Sequence, residues 1–352
     1  MNDLRYNESM KAVRIHKHGG AEVCQVDEVP EPRPGPEEVV IRVRSAAMGH
    51  MDVDVREGLS RLDIALPYIM GFEAAGTIES LGSDVEGWAV GDAVLPYIRT
   101  TCRRCRHCTT GRESLCPRRA FVGSAFAELM ACPASHLMRL PDGLDPADGA
   151  ALGTAFGTGW HMLFTRGQLA VGETVLINSV GSGIGSAAVQ LAALAGARVI
   201  GTASSDEKLA RAAELGMAHG INYREQDFAA ELARITDGEG VDLVFEHVGG
   251  ESFQRGLDAL TPGGRMVTCG AHAGEVVPLD VIPLFRSETS ILGSFGSSRR
   301  EIEGCLALAA AGRVKPVIHA RYPLDAIGDA MREMEGRGNF GKILLQPDRS
   351  GT

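Results

Sequence analysis

The feature that most constrains the fold is an alternation beginning after about residue 150. Thr174-Val175-Leu176-Ile177-Asn178 is a short apolar run, followed by a Gly/Ser turn. Ile184, Ala187, Ala188, Leu191, Ala192 and Ala195 then recur at helical spacing until Gly196 supplies a stop. A second apolar run, Arg198 to Ala203, follows at once. Ser204-x-x-Glu207 reads as a capping box for the next helix, which Gly216 closes. Further runs at 220–222, 241–245, 265–269 and 290–295 bring the expected strands to six. Short apolar strands alternating with helices predict an α/β fold with a doubly wound parallel sheet.

Residues 38–140 follow another rule. Val39-Val40-Ile41-Arg42-Val43 and Gly76-Thr77-Ile78-Glu79-Ser80-Leu81 are strand-like, and Gly91-Asp92-Ala93-Val94 enters another strand. Turns such as Pro34-Gly35-Pro36 separate them, as in a β-barrel. From about Arg299 the chain reads as a helix, Val317-Ile318, a helix and a terminal strand, Lys342 to Leu345. That stretch is too short for a domain and is expected to rejoin the N-terminal unit. Residues 1–9 are polar and read as an extra tail or an early start codon. They lack an apolar signal core, and no run reaches the about 18 apolar residues of a membrane span. The expectation is a soluble, cytoplasmic protein. A net charge of −10 repels phosphate backbones and argues against nucleic-acid binding.

The segment 175–185, ending Gly181-Ser182-Gly183-Ile184-Gly185, joins strand to helix with small residues. It lets backbone approach a pyrophosphate at a helix N-terminus. The alternative is an ordinary tight loop. NAD-selective sites place Asp or Glu at the end of the second strand, about 20 residues beyond the turn. Here that place holds Ala203-Ser204-Ser205, with Lys208 one turn on. Hydroxyls and an ammonium suit a 2′-phosphate and point to NADPH, unless Ser204 is only a helix cap and Lys208 a solvated side chain.

Four of the eight cysteines fall within residues 102–116. Cys102, Cys105, Cys108 and Cys116 have the spacing C-x2-C-x2-C-x7-C, which suits a closed tetrahedral Zn²⁺ site. A metal-free reduced loop is the competing reading. Cys24, Cys132, Cys269 and Cys305 sit among apolar neighbours as small core residues.

These motifs, with Gly71-Phe72-Glu73-Ala74-Ala75-Gly76 and Thr158-Gly159-Trp160, resemble the medium-chain dehydrogenase/reductase superfamily from Lys11 to Leu345. The resemblance implies a GroES-like catalytic domain, residues 1–152 and 296–352, with a zinc lobe at about 100–118. A Rossmann cofactor domain, 153–295, would be inserted in it, with catalysis in the cleft between them. At the positions of the catalytic zinc ligands of the zinc alcohol dehydrogenases stand Gly49, Phe72 and Thr154. The family's proton relay falls on Met51 and Asp54. Zinc-assisted alcohol oxidation is therefore not expected, and the chain is similar instead to zinc-independent quinone oxidoreductases and enoyl reductases.

That similarity implies an NADPH-dependent reductase of an activated C=C bond or a quinone. The alternatives are a carbonyl or alcohol oxidoreductase, or a non-catalytic NADPH-binding protein. Carried over, Thr158, Gly270 and Ala271 would hold the nicotinamide, Tyr223 the adenosine phosphate and His247 the nicotinamide ribose. His50 is divided between cofactor contact and proton donor, whereas Asp52 is expected to be structural and His161 packed. Phe72 and Trp160 would make the cleft apolar, although Trp160 would equally suit a core. The family's pairing through its last Rossmann strand, here Ser290 to Phe295, implies a homodimer or homotetramer.

Overall fold

The computed structural model describes residues 8–347, so most of the expected N-terminal tail lies outside the described residues. Ser9 already belongs to a strand. The chain divides into two units, one ending at Gly153 and resuming at Ile318, the other spanning Thr154–Val317.

The first unit begins with β1 (Ser9–Ile15), β2 (Cys24–Pro30), β3 (Glu38–Ala47), α1 (His50–Glu57), β4 (Tyr68–Ile69), β5 (Glu73–Leu81) and β6 (Ala93–Pro96). There follow β7 (Arg99–Thr100), α2 (Arg106–Thr109), β8 (Ala120–Phe121), β9 (Leu129–Pro133), β10 (Leu137–Arg139) and α3 (Pro146–Gly149). The second unit holds α4 (Gly153–Trp160), continued by a π-helical turn at His161–Arg166, then β11 (Thr174–Ile177), α5 (Gly183–Leu194), β12 (Arg198–Ala203), α6 (Asp206–Ala213) and β13 (His219–Asn222). It continues through α7 (Phe228–Thr236), β14 (Val241–Glu246), α8 (Glu251–Asp258), β15 (Leu260–Thr268), α9 (Val281–Arg286), β16 (Ser290–Gly293) and α10 (Arg299–Ala310). Returning to the first unit are β17 (Ile318–Pro323), α11 (Ile327–Glu335) and β18 (Lys342–Gln346).

The first unit is built on a seven-stranded sheet ordered β10-β6-β5-β3-β18-β17, with β9 also on β3. The terminal segment does rejoin this unit: Leu344 lies opposite Ala47, and Ala47 opposite Glu73. Alternate residues such as Val39, Ile41 and Val43 fill its core together with Met48, Phe72 and Phe126. Where β5 begins, Gly71 has φ +93° and a Cβ there would lie 2.3 Å from the Phe126 ring, so only glycine fits.

The second unit is a six-stranded parallel sheet ordered β13-β12-β11-β14-β15-β16, as the alternation predicts. Its central strands are apolar on both faces because helices cover both. Two expectations shift. The capping residue of α6 is Ser205, not Ser204: its side chain accepts from the Lys208 amide at 3.4 Å, and Ser205 has the extended backbone of a cap. The second unit also runs to Val317 rather than 295. α10 buries Ile302, Cys305, Leu306 and Ala309 there, and Gln190 on α5 exchanges hydrogen bonds with the Lys315 backbone.

Candidate functional site

At the C-terminal ends of β11, β12 and β14, a buried polar network fixes the Gly/Ser turn. Glu246, wholly buried, accepts from the amides of Val248 at 2.5 Å and Gly249 at 2.7 Å, and from Ser252 Oγ at 2.9 Å. It also accepts from Asn178 Nδ2. Asn178 Oδ1 accepts from Thr202 Oγ1, which accepts from the Ser179 amide. The order β12-β11-β14 makes this the topological switch point, where open α/β sheets bind ligands.

Ser182 caps α5 by accepting from the Gly185 amide at 2.9 Å, and its hydroxyl pairs with His247 Nε2 at 3.0 Å. A Cβ on Gly185 would meet Ser179 O at 2.3 Å, so the helix start is seated too close for any side chain. The first-turn amides of Gly183 and Ile184 have no acceptor inside the helix, which is what a pyrophosphate requires. Gly270 abuts His247 closely: a Cβ there would meet its carbonyl oxygen at 2.6 Å. The structure thus brings Gly181, Ser182, Gly183, Ile184, Gly185, His247, Gly270 and Ala271 to the strand ends. Thr158 is buried within α4.

A second cluster closes β12 and β13. Ala203 lies opposite Asn222, and the Tyr223 amide donates to Ala203 O at 3.2 Å, placing Ser204 and Tyr223 on adjacent strand ends. Ser204 does not cap α6. Burial and the neighbouring Arg224 and Arg211 guanidinium groups push the Lys208 ammonium below its ordinary pKa. Asp206, the first carboxylate after β12, accepts from Asn222 Nδ2 at 2.9 Å. Arg211 and Arg224 were missed from sequence, although Arg224 directly follows Tyr223.

The cysteine lobe forms between the paired β7 and β8. Cys102, Cys105, Cys108 and Cys116 place their sulfurs within 4.8 Å of one another. Cys102 to Cys108 is 3.9 Å and Cys105 to Cys108 is 3.5 Å. Zn–S bonds of about 2.3 Å imply tetrahedral edges of about 3.8 Å, so the set fits a ZnS₄ centre. Amides of Arg104 and Cys105 aimed at Cys102 hold that thiol down at about 5, whereas burial and the other sulfurs push Cys108 up to about 12. A dication held there would let all four ionise together. Among the described residues this is the one such group of three or more metal-binding side chains.

Other candidates take bland positions. Phe72 is buried in the first unit's core, edge-on to Phe121 with ring centroids 5.3 Å apart, so it lines no open surface there. Trp160 packs edge-on against Phe164 and over Gly304. His161 pairs with Glu301 at 2.8 Å and is packed as expected. His50 is the exposed first residue of α1. Asp52 accepts from the Gly49 amide at 2.8 Å, which closes the start of that helix.

Comparison with known proteins follows the same division. Residues 35–142 match the alcohol dehydrogenase GroES-like domain and residues 183–311 the zinc-binding dehydrogenase family. An acryloyl-coenzyme A reductase of Sulfurisphaera tokodaii is 30% identical, covering 96% of this chain and 100% of the relative. A quinone oxidoreductase of Rattus norvegicus is 29% identical, covering 96% and 97%. A crystal structure described as an NAD-dependent alcohol dehydrogenase superposes with a TM-score of 0.92 at 36% identity, covering 96% of this chain and 100% of that one.

Proposed function

The chain belongs to the medium-chain dehydrogenase/reductase superfamily, and from that premise we propose that it is an NADPH-dependent reductase of an activated C=C bond or a quinone. The observation that carries this reading is what stands at the catalytic-zinc positions. Gly49 offers no side chain, Phe72 is locked in a core, and the Thr154 hydroxyl is a poor ligand. Alcohol oxidation is the alternative reading, and the relatives named as acryloyl-coenzyme A reductase and quinone oxidoreductase do not favour it. It requires an alkoxide, which the zinc enzymes generate by metal coordination. A conjugated acceptor requires only hydrogen bonds to its developing oxyanion.

Gly183 and Ile184 amides would hold the pyrophosphate. Ser204, Lys208, Tyr223 and Arg224 would surround the adenosine phosphate, with Thr158, His247, Gly270 and Ala271 at the nicotinamide end. When bound, the dihydronicotinamide supplies the hydride. Cys102, Cys105, Cys108 and Cys116 would hold one structural zinc.

The test is a panel of enones, enoyl thioesters, quinones, aldehydes and alcohols, read by nicotinamide absorbance. NADPH-driven reduction of at least one conjugated acceptor is expected, with negligible oxidation of primary alcohols. Losing one charge-assisted contact weakens binding by about 1.5–3 kcal/mol, so Lys208→Ala should raise the NADPH dissociation constant tenfold or more. NADH binding should stay within twofold. Alcohol oxidation without activity on any conjugated acceptor sinks the reading, and equal loss of both cofactors sinks the 2′-phosphate assignment.

β16 is the sheet's edge, and Val281 and Phe285 on the neighbouring α9 are 57% and 64% exposed. An unpaired edge flanked by apolar side chains supports a homodimer through β16. Light scattering should return twice the chain mass of 37.3 kDa, or four times it for a tetramer; the chain mass itself would refute pairing.

A further inference from the structure

Asn222, the last residue of β13, is 2% exposed and held on three sides. Its Oδ1 accepts from the Arg224 amide at 3.2 Å, its Nδ2 donates to Asp206 Oδ1 at 2.9 Å, and its own backbone amide donates to Gln226 Oε1 at 2.7 Å. A donor on one side and an acceptor on the other fix which way the side-chain amide points. Asn222 also lies opposite Ala203, so it stands between the turn after β12 and the turn that carries Tyr223 and Arg224.

What it holds on the β12 side is the first carboxylate after that strand. Asp206 opens α6 and is itself exposed, so packing does not fix its carboxylate; the hydrogen bond to the buried amide does. The same strand ends gather cations. Arg224 and Arg211 lie close enough to act on the Lys208 ammonium, and the carboxylate that acts on it is that of Glu207 rather than Asp206. A phosphate arriving among Lys208, Arg211 and Arg224 is attracted by all three and repelled by any carboxylate that swings toward them. A ribose hydroxyl in the same place instead gains an acceptor from such a carboxylate.

Resting on the NADPH reading of this site, we propose that Asn222 sets the preference for a 2′-phosphorylated cofactor by holding the Asp206 carboxylate off the cations that receive the phosphate. It is a positioning residue, acting through Asp206. One buried amide thereby turns a residue type that ordinarily selects an unphosphorylated ribose into a neighbour that a phosphate tolerates. Its second bond, to the Arg224 amide, anchors the turn that carries Tyr223 and Arg224.

Adenosine 2′,5′-bisphosphate and 5′-AMP differ by the one phosphate at issue and undergo no reaction, so calorimetric titration of the whole chain with each reads the preference directly. The wild type should bind the bisphosphate at least tenfold tighter than 5′-AMP. Asn222→Leu should cut that preference to threefold or less by weakening the bisphosphate, with 5′-AMP held within twofold. The same substitution in an Asp206→Ala chain should cut it by less than twofold, because no carboxylate is left to release. Leucine loses the bond to the Arg224 amide in both backgrounds, so the difference between them belongs to Asp206. Thermal melts check that each variant is folded. Asn222→Asp, which keeps the side-chain shape and the Arg224 bond, takes the place of leucine if that chain is unfolded, and its loss should likewise be smaller when Asp206 is alanine. Equal losses in the two backgrounds, or a preference that Asn222→Leu leaves unchanged, overturn the role of Asn222 alone. A wild type that binds the two nucleotides equally overturns the 2′-phosphate reading and this inference with it.

Discussion

Glu246→Ala is expected to lower the melting temperature by more than 10 °C and to abolish measurable NADPH binding. Glu246 ends β14 with no exposed surface and accepts from Val248, Gly249, Ser252 and Asn178. Alanine leaves those four donors without their acceptor, and two of them, the Gly249 amide and Asn178 Nδ2, are fully buried. Each unsatisfied buried donor costs about 1–3 kcal/mol, so the sum is a large part of a total stability of about 5–15 kcal/mol. The same bonds hold the loop after β14 and, through Asn178 and Thr202, the Ser179 amide at the start of the cofactor turn. Binding and folding should therefore fail together. Glu246→Gln keeps the shape but turns amide hydrogens toward existing donors, so an intermediate loss is expected. Thermal melts and cofactor titration check this; a melting temperature within 2 °C of wild type would show that the network is not what fixes the turn.

Glu246 was not foreseen from sequence, and the reason is physical. Val241-Asp242-Leu243-Val244-Phe245 announces a buried strand by its apolar run, whereas the carboxylate that follows looks like a surface residue until its four donors are placed. Asp52 is expected from its place in the turn to be structural, and one oxygen does accept from the Gly49 amide. The rest of its setting is non-local. Lys342 comes beside Glu73 because β18 pairs with β3 and β3 with β5, a juxtaposition across 269 positions. What was legible was local or periodic: the six parallel strands, the turn at Gly181–Gly185 and the cysteine spacing. Ser204 and Ser205 are chemically alike, and only the backbone turn at the end of β12 decides which one caps α6. The helix at 299–310 is amphipathic whichever unit it joins, so its pattern could not reveal that it packs in the second.

Metal analysis should find one zinc per chain, and Cys105→Ser should reduce it below 0.1 per chain. The lobe between β7 and β8 has almost no core: Ser114 and Cys116 are buried, while Leu115 is 39% exposed. The two-residue ladder at its base is too short to be stable alone. Such small units rely on a metal or disulfides, and the two sulfur separations of 3.5 and 3.9 Å exceed the about 2.05 Å of a disulfide bond. Zinc at sites of this kind contributes about 10–16 kcal/mol of apparent free energy, and losing one thiolate of four forfeits much of it. The expected result is rapid proteolysis within residues 101–118 of Cys105→Ser. Turnover should change less than threefold under conditions where the rest of the chain stays folded, because the proposed reduction draws on no cysteine of the lobe. Prolonged chelation of the wild type should reproduce the proteolytic pattern. Two zinc ions per chain, or stoichiometric zinc retained by Cys105→Ser, would place metal elsewhere and return zinc-assisted chemistry to consideration.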